Sequence, residues 1–460
     1  MGIGRDLVSM KKIKKGQQLM DLLKEINWLG TFFAPDSYAD RFSGRLEYTP
    51  GEGVLLRYLL TNEVRPALPQ SKSGEGYLHG ILDSGERCTL IGPGGGERTR
   101  HFKGPQHSVS GGMSFGILVL GTHITPDQKF EVATIAYSGM QEFFFPTGSK
   151  DEEKFSPDLS DTEPTEFGTA SIFTTASFGY LPEDPIALFH CSDPDALEAL
   201  SVAIKDVENR YSDQVLHLKK DIGYALHLNF QPPLELSDIR LKIIELGNLL
   251  ALLTHKPVLP QTVALAPQTT SLENAKIYLS LHRDRRTVDM CMKKTSHHHL
   301  PINAKTVKFS KLISKWLEKS EQFRTVAENL QNQTGVTNLH DLHGELVLNV
   351  ALLESISIVA KRSKQERYQY PIDSFASHWI VELLSKELGF QPSEIGEAIS
   401  DIRNEIAHFG RPRILLRKLG LNGLYRVNAA VRLVVLGYVL QSIGVPVSEV
   451  REYQYQFLPR

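Results

Sequence analysis

Hydrophobic and polar positions follow two regimes along this chain. From Phe42 to about Tyr180 the apolar positions recur with period two. R-F-S-G-R-L-E-Y-T-P-G-E-G-V-L-L-R-Y-L-L predicts strand, turn and strand, with Pro50, Gly51 and Gly53 in the turn. Y-L-H-G-I-L-D-S-G-E-R-C-T-L-I-G repeats the unit around Ser84 and Gly85, and M-S-F-G-I-L-V-L-G and K-F-E-V-A-T-I-A-Y-S continue it. Several short strands with regular turns predict an antiparallel sandwich or barrel-like sheet. Ahead of them, residues 6–29 predict a short amphipathic helix with Leu22, Leu23, Ile26 and Leu29 as its stripe. Behind them, residues 195–218 and 236–254 predict helices, the second packed on the sheet. A-K-I-Y-L-S-L-H-R predicts a late strand returning to that sheet.

From Asn303 onward the strand pattern vanishes. Helical spacing predicts helices over about 307–330, 339–362, 373–388, 392–409 and 421–441. Short connections predict antiparallel neighbours in a bundle. The expected fold class is therefore α+β, with a β-rich antiparallel domain over 1–302 and an all-α bundle over 303–460. Three stretches read as loops. Gly92–Gly96 has no Gly-Lys-Ser/Thr and no following helix to aim at a phosphate, so an inter-strand loop is expected rather than a phosphate loop. Residues 149–167 are acidic and proline-containing, which predicts an exposed insert. Residues 283–303 predict a polar loop.

Composition narrows the classes. The chain of 460 residues carries a formal net charge of −2 and 41% hydrophobic residues, ordinary values for a globular protein. Three cysteines, Cys88, Cys191 and Cys291, form no C-x-x-C pair, so a reduced compartment is expected. No apolar run is read as a membrane span, and no signal-peptide core follows Lys11–Lys15. A cytoplasmic protein without a membrane partner is the expectation. His297, His298 and His299 with Cys291 match no zinc-ligand spacing, so no metal and no other cofactor is expected.

The chemistry concentrates in I-S-D-I-R-N-E-I-A-H-F-G-R-P, residues 399–412. Ile395, Ile399, Ile402 and Ile406 define one apolar face of a helix that Gly410 and Pro412 stop. At about 100° per residue, Arg403 and His408 flank the side away from the isoleucines, with Asn404 between them. His408 falls at the helix end, where the dipole favours an imidazolium. Arg, Asn and His are the groups of a metal-free phosphodiester cleaver. Histidine moves a proton at a ribose 2′-OH or a leaving oxygen, and a guanidinium stabilises charge on the phosphate. The plain alternative is a helix end with a solvated arginine and a capping histidine, and an R-x4-H spacing alone favours that alternative.

This motif, set in a wholly helical segment, resembles that of the HEPN superfamily of ribonucleases, which carry R-x4-6-H at a helix end. The W-L-G-T-F-F-A-P segment and the strands after it resemble the N-terminal domain of the ApeA-like family of anti-phage defence proteins. The resemblance implies an endoribonuclease acting in abortive infection, with tRNA as a candidate target and a phage-derived trigger. It implies 2′-OH attack without a metal, leaving a 2′,3′-cyclic phosphate. It also implies a homodimer or higher oligomer, each site drawing Arg403, Asn404 and His408 from both protomers. The rival reading is a non-catalytic HEPN module that only dimerises or binds nucleotide or RNA.

Two further groups of residues bear on that reading. The segment 303–460 holds 20 lysines and arginines against 16 acids, opposite in sign to the rest of the chain. Part of the excess, Arg411, Arg413, Arg417 and Lys418, begins three residues after His408. These cations are candidates for RNA backbone contacts, or for satisfying helix C-termini. Glu354 falls among apolar positions of the 342–360 helix. It either orients Arg403 in a supporting role or reaches solvent at the bundle edge.

Overall fold

The computed structural model describes residues 21–35, 37–61, 76–103, 106–144, 160–180, 193–211, 217–267, 275–279, 281, 285–292, 300–332, 339–408 and 410–459. The strands in chain order are β1 (Ile26–Phe33), β2 (Phe42–Thr49), β3 (Gly53–Thr61), β4 (Tyr77–Leu82), β5 (Arg87–Lys103), β6 (Gln106–Leu120), β7 (Lys129–Tyr137), β8 (Ser160–Thr165), β9 (Gly168–Tyr180), β10 (His217–Glu235), β11 (Pro260–Pro267) and β12 (Ala275–Leu279). The helices are α1 (Met140–Phe144), α2 (Pro194–Arg210), α3 (Leu236–Thr254), α4 (Arg285–Met292), α5 (Phe309–Leu317), α6 (Ser320–Gln331), α7 (Leu339–Val359), α8 (Gln369–Phe375), α9 (His378–Leu388), α10 (Ile395–Ala407), α11 (Ile414–Ser442) and α12 (Val447–Phe457). The organisation is α+β, with antiparallel strands dominating the N-terminal part and helices the C-terminal part. Contacts divide the chain into two compact units: Met1–Phe130 with Leu259–Met292, and Glu131–Val258 with Lys293–Arg460.

In the first unit the strand order is β3-β2-β1-β4-β5-β6, and β3 pairs back onto β6, so six antiparallel strands close into a barrel. Alternation explains its interior: Phe32, Leu46, Leu56, Leu78, Leu90 and Leu118 are all fully buried. Beyond Phe115, β6 exchanges β3 for β12, the expected late strand. Three sequence expectations fail here. Residues 26–29 begin β1 rather than ending a helix. Pairing with β2 turns Leu29 out to 60% exposure, whereas Leu22 and Leu23 are buried ahead of the strand. Residues 6–20, including the Lys11–Lys15 cluster, lie outside the described residues. Gly92–Gly96 belongs to β5, with a register shift between Pro93 and Gly96. A Cβ on Gly96 would sit 2.6 Å from the Gly112 carbonyl oxygen, so glycine lets the two strands approach at this bulge. Finally, 285–292 is helix α4, because Thr287, Val288 and Cys291 share one buried face. His297–His299 lie outside the described residues.

In the second unit the sheet order is β7-β10-β9-β8. The long β9–β10 ribbon was only half expected. His217 and Leu218, assigned to a helix by spacing, begin β10 opposite Tyr180 and Gly179, and α2 stops at Arg210. Ser160–Thr165 of the acidic stretch is likewise a strand, β8, and residues 149–159 lie outside the described ones. α3 matches its expected limits and packs on β10.

The C-terminal helices surround α11, whose residues Val427, Ala430, Val431, Val434, Leu436 and Leu440 are fully buried. Backbone breaks divide what spacing merges. The 307–330 stretch splits at Lys319 into α5 and α6, and the 373–388 stretch splits at extended Ala376 and Ser377 into α8 and α9. Gly420 (φ 59°, ψ −168°) kinks α11, and the portion after it coincides with the expected 421–441 helix. α12 was not foreseen.

Two helices, α7 and α11, are long and apolar enough to cross a membrane by length and composition, contrary to the sequence reading. α11 is a core helix, with 78% of its apolar window buried, whereas the figure for α7 is 39%. α7 is therefore enclosed on one side only. Leu342, Leu346, Val350, Leu353 and Ile356 face the core. Gly344, Ala351, Ser355, Ile358 and Val359 face out, with Val347, Leu348 and Leu352 half-buried beside them.

Candidate functional site

α10 is held from both ends. Ile395, Ile399 and Ile402 are buried as their spacing predicts, and Ile406 is half-buried. At the start, the Gly396 amide donates to Gln369 Oε1 at 2.8 Å. A Cβ at Gly396 would lie 2.6 Å from the Gln369 nitrogen, so only glycine admits that approach. At the far end the His408 amide donates to the Asn404 carbonyl at 3.0 Å. His408 itself is extended (φ −112°, ψ 114°) and closes the helix, so the stop does not use a left-handed Gly410. The Arg411 amide then donates to the His408 carbonyl at 3.3 Å.

The turn that follows is fixed by a residue inside the motif. Glu405 is only 7% exposed, and its carboxylate accepts the amides of Ile414 (3.1 Å), Leu415 (3.0 Å) and Leu416 (3.0 Å). The cap position of α11 is Arg413, which offers no side-chain acceptor, so the first amides of α11 need one from elsewhere. An anion there also meets the positive end of the helix dipole. Glu405 thus ties the end of α10 to the start of α11.

The predicted site residues fall around this turn. Arg403 is half-buried and donates to Asn404 Oδ1 at 3.1 Å; His408 is exposed. Arg403, Asn404 and His408 all lie off the isoleucine face, as spacing predicts. Arg411, Arg413 and Arg417 are exposed, and Arg411 approaches Asp401 at 3.9 Å. Lys418 is differently engaged. Its ammonium donates to the Leu388 carbonyl at 2.8 Å, at the C-terminal end of α9, which makes it a helix cap as much as a rim cation.

Glu354 does not pair with Arg403. Arg367 takes Oε1 at 2.5 Å, and the Tyr368 hydroxyl donates to Oε2 at 3.2 Å. The loop between α7 and α8 brings Arg367 closer than α10 brings Arg403. The link to the motif is indirect, because Tyr368 lies near Ser400 and within the field of Arg403. Burial, then Glu354, raises the Tyr368 pKa, while Arg403 and Ser400 act oppositely.

Glu405 and Tyr368 escaped the sequence reading. For Glu405 one signal existed: α11 begins R-P-R-I without a Ser, Thr, Asp or Asn to cap it, and a nearby carboxylate fills the gap. Nothing in the sequence marks Tyr368. Among the described residues, no three His, Cys, Asp or Glu side chains gather where they could hold a metal ion. Cys88 and Cys291 are buried and form no disulfide, and burial pushes the Cys88 thiol up to about 12. What the turn offers is a guanidinium, an amide and an imidazole beside exposed arginines, a set suited to a phosphodiester.

A family model described as ApeA N-terminal domain 1 matches residues 27–316, more than half of the chain. No curated protein and no solved structure matches significantly.

Proposed function

The chain belongs to the ApeA N-terminal domain 1 family, which supports a role in anti-phage defence, and from that premise we propose that its C-terminal helices form a HEPN endoribonuclease. One observation carries the reading. Arg403, Asn404 and His408 stand off the core face of α10, at a helix end that the buried Glu405 fastens in place. In the proposed reaction the ribose 2′-oxygen attacks the adjacent phosphorus and the 5′-oxygen leaves. Arg403 stabilises charge on the phosphoryl oxygens, and His408 moves a proton. The products are a 2′,3′-cyclic phosphate and a 5′-OH, and no metal is required. RNA is the substrate class, with tRNA a candidate, and abortive infection in the cytoplasm the setting.

The outward face of α7 supports assembly through a second copy. Fully burying one Val, Leu or Ile contributes about 1.5–3 kcal/mol. Val347, Leu348, Leu352, Ile358 and Val359 are half-buried or exposed here, and a two-fold contact would cover them in both copies. That gain is comparable with the roughly 4–15 kcal/mol association costs. A module that only dimerises would use the same face, but it would need neither Arg403 nor His408.

The test is expression in host cells under phage challenge. Wild type should degrade cellular RNA and restrict the phage. Arg403→Ala and His408→Ala should accumulate equally and do neither. RNA loss unchanged in both variants would remove the reading.

A further inference from the structure

The turn that carries His408 leads into α11, and one turn into that helix α11 meets the end of α9. Glu405 holds the amides of Ile414, Leu415 and Leu416. Lys418, roughly 6 Å of helix beyond Ile414, donates to the Leu388 carbonyl at 2.8 Å. Gly389 then ends α9 in the left-handed region (φ 76°), and a Cβ there would sit 2.6 Å from Lys418 Nζ. The next residue is Phe390. A hydrophobic residue at this place commonly folds back on the helix it follows. Phe390 nevertheless stays 38% exposed, with the Lys418 ammonium 6.0 Å from the centre of its ring.

We propose that Phe390 is a platform on which an unpaired nucleobase of the RNA stacks, beside the phosphodiester held at Arg403 and His408. This rests on the reading of Arg403, Asn404 and His408 as a ribonuclease site. Every base has a π-face, so the platform selects no base identity. It does select RNA shape. A base inside a duplex is already stacked, whereas one in a single strand or a loop is free to turn onto an aromatic ring. The substrate class is therefore RNA with an unpaired nucleotide next to the bond that is cut.

The surroundings suit a nucleotide. Arg411, Arg413 and Arg417 are exposed in the turn and at the start of α11, so the strand's phosphates meet positive charge on the way to Phe390. The carboxylate of Glu387, in the same last turn of α9, does not oppose them, because Arg426 of α11 pairs with it at 2.9 Å. Beyond the Gly420 kink, Leu421 and Tyr425 lie one turn apart on α11 and are exposed as well, which extends the apolar surface. Lys418 acts here as a positioning residue. It fastens α11 to the end of α9 and so fixes where Phe390 stands relative to the turn.

The experiment is binding of a single-stranded 2′-O-methyl RNA, which lacks the attacking hydroxyl, to the full chain. Wild type, Phe390→Leu and Phe390→Trp are compared by fluorescence anisotropy, beside a duplex of the same sequence and light scattering of each protein. Phe390→Leu keeps an apolar side chain after Gly389 but has no aromatic face. It should bind the single strand roughly 5- to 100-fold more weakly, with an unchanged salt slope because no phosphate contact is lost. Phe390→Trp should bind at least as tightly as wild type, and the duplex should bind all three alike. A folded Phe390→Leu with wild-type affinity for the single strand overturns the assignment. So does an equal loss for the duplex, or a loss that follows a change of oligomeric state. If Phe390→Leu does not fold, Phe390→Trp decides: its added indole should be quenched as the strand binds, and an unquenched indole overturns the assignment. Cleavage of unmodified RNA by His408→Ala at the wild-type rate overturns the site itself, and this assignment with it. Loss of cleavage in His408→Ala, with binding by Phe390→Leu unchanged, overturns only the role of Phe390.

Discussion

The carboxylate of Glu405 accepts the backbone amide of Ile414 at 3.1 Å, and with Leu415 and Leu416 it receives three amides of a helix to which it does not belong. A group in the middle of the R-N-E-I-A-H run is therefore spent on structure. Hydrogen bonds to a charged acceptor contribute about 1.5–3 kcal/mol each at most, and loss of a helix cap costs about 0.5–2 kcal/mol. Glu405→Ala should lower the melting temperature and reduce cleavage although Glu405 touches no substrate. Glu405→Gln, which keeps an acceptor oxygen, should retain more of both. Calorimetry beside an RNA cleavage assay checks this, and equal behaviour of the two variants would mean that the cap is not what they share.

The outward stripe of α7 carries the prediction on assembly. Leu352→Glu combined with Ile358→Glu places two charges where a second copy would pack, while Leu346, Val350 and Leu353 keep the core face intact. The double variant should fold and scatter light as a monomer where wild type is a dimer or larger, and cleavage should fall with it. A wild type that is monomeric at micromolar concentration and fully active would show the stripe to serve something else.

His255 links stability to pH. It ends α3 in the left-handed region (φ 53°), bonds the Tyr453 hydroxyl at 2.6 Å, and stacks on Phe457. Burial, then Arg432, pushes its pKa down to about 3. The folded state holds this imidazole neutral, while the unfolded chain protonates it near the ordinary 6.5. Its stabilisation is therefore complete above pH 6.5 and is lost as pH falls from there toward 3, at up to about 1.4 kcal/mol per pH unit. His255→Asn tolerates the left-handed backbone and does not titrate. It should melt lower than wild type at pH 7.5, and the gap should narrow by pH 5. A constant gap across that range would contradict a buried neutral His255.

The basic rim divides into two parts. Arg413 and Arg417 are exposed, so replacing both with glutamine should weaken RNA binding and flatten its decline with salt, by roughly one unit of slope for each phosphate no longer neutralised. Lys418 is occupied by the Leu388 carbonyl, so Lys418→Gln should lower thermal stability more than it changes the salt slope. The reverse ranking, by filter binding and calorimetry, would reassign the rim.

Much of this fold was legible in the residues, for physical reasons. Strand alternation and Gly-Pro turns are local signals, so β2, β3, β4, β7 and α3 could be read directly, and β5 and β6 in part. So could the helical end of Arg403, Asn404 and His408, because helix spacing alone sets which side they occupy. Readings failed where a distant partner decides the outcome. Leu29 belongs to a strand because β2 pairs beside it, and Gly92–Gly96 joins β5 because β6 offers Gly112. Glu354 answers to Arg367 because a loop arrives before α10 does.

The central claim is that the Arg403–His408 turn cleaves RNA. Its most direct test is end-group analysis of RNA incubated with the purified chain in the presence of EDTA, for wild type, Arg403→Ala and His408→Ala. Arg403 is half-buried with Asn404 as its hydrogen-bond partner, and His408 is exposed, so both variants should keep the wild-type circular dichroism. The account predicts fragments ending in 2′,3′-cyclic phosphate and 5′-OH from wild type, with the rate down roughly 10²-fold or more in each variant. Fragments with 3′-OH and 5′-phosphate ends, or a folded His408→Ala that cleaves as wild type does, would contradict it.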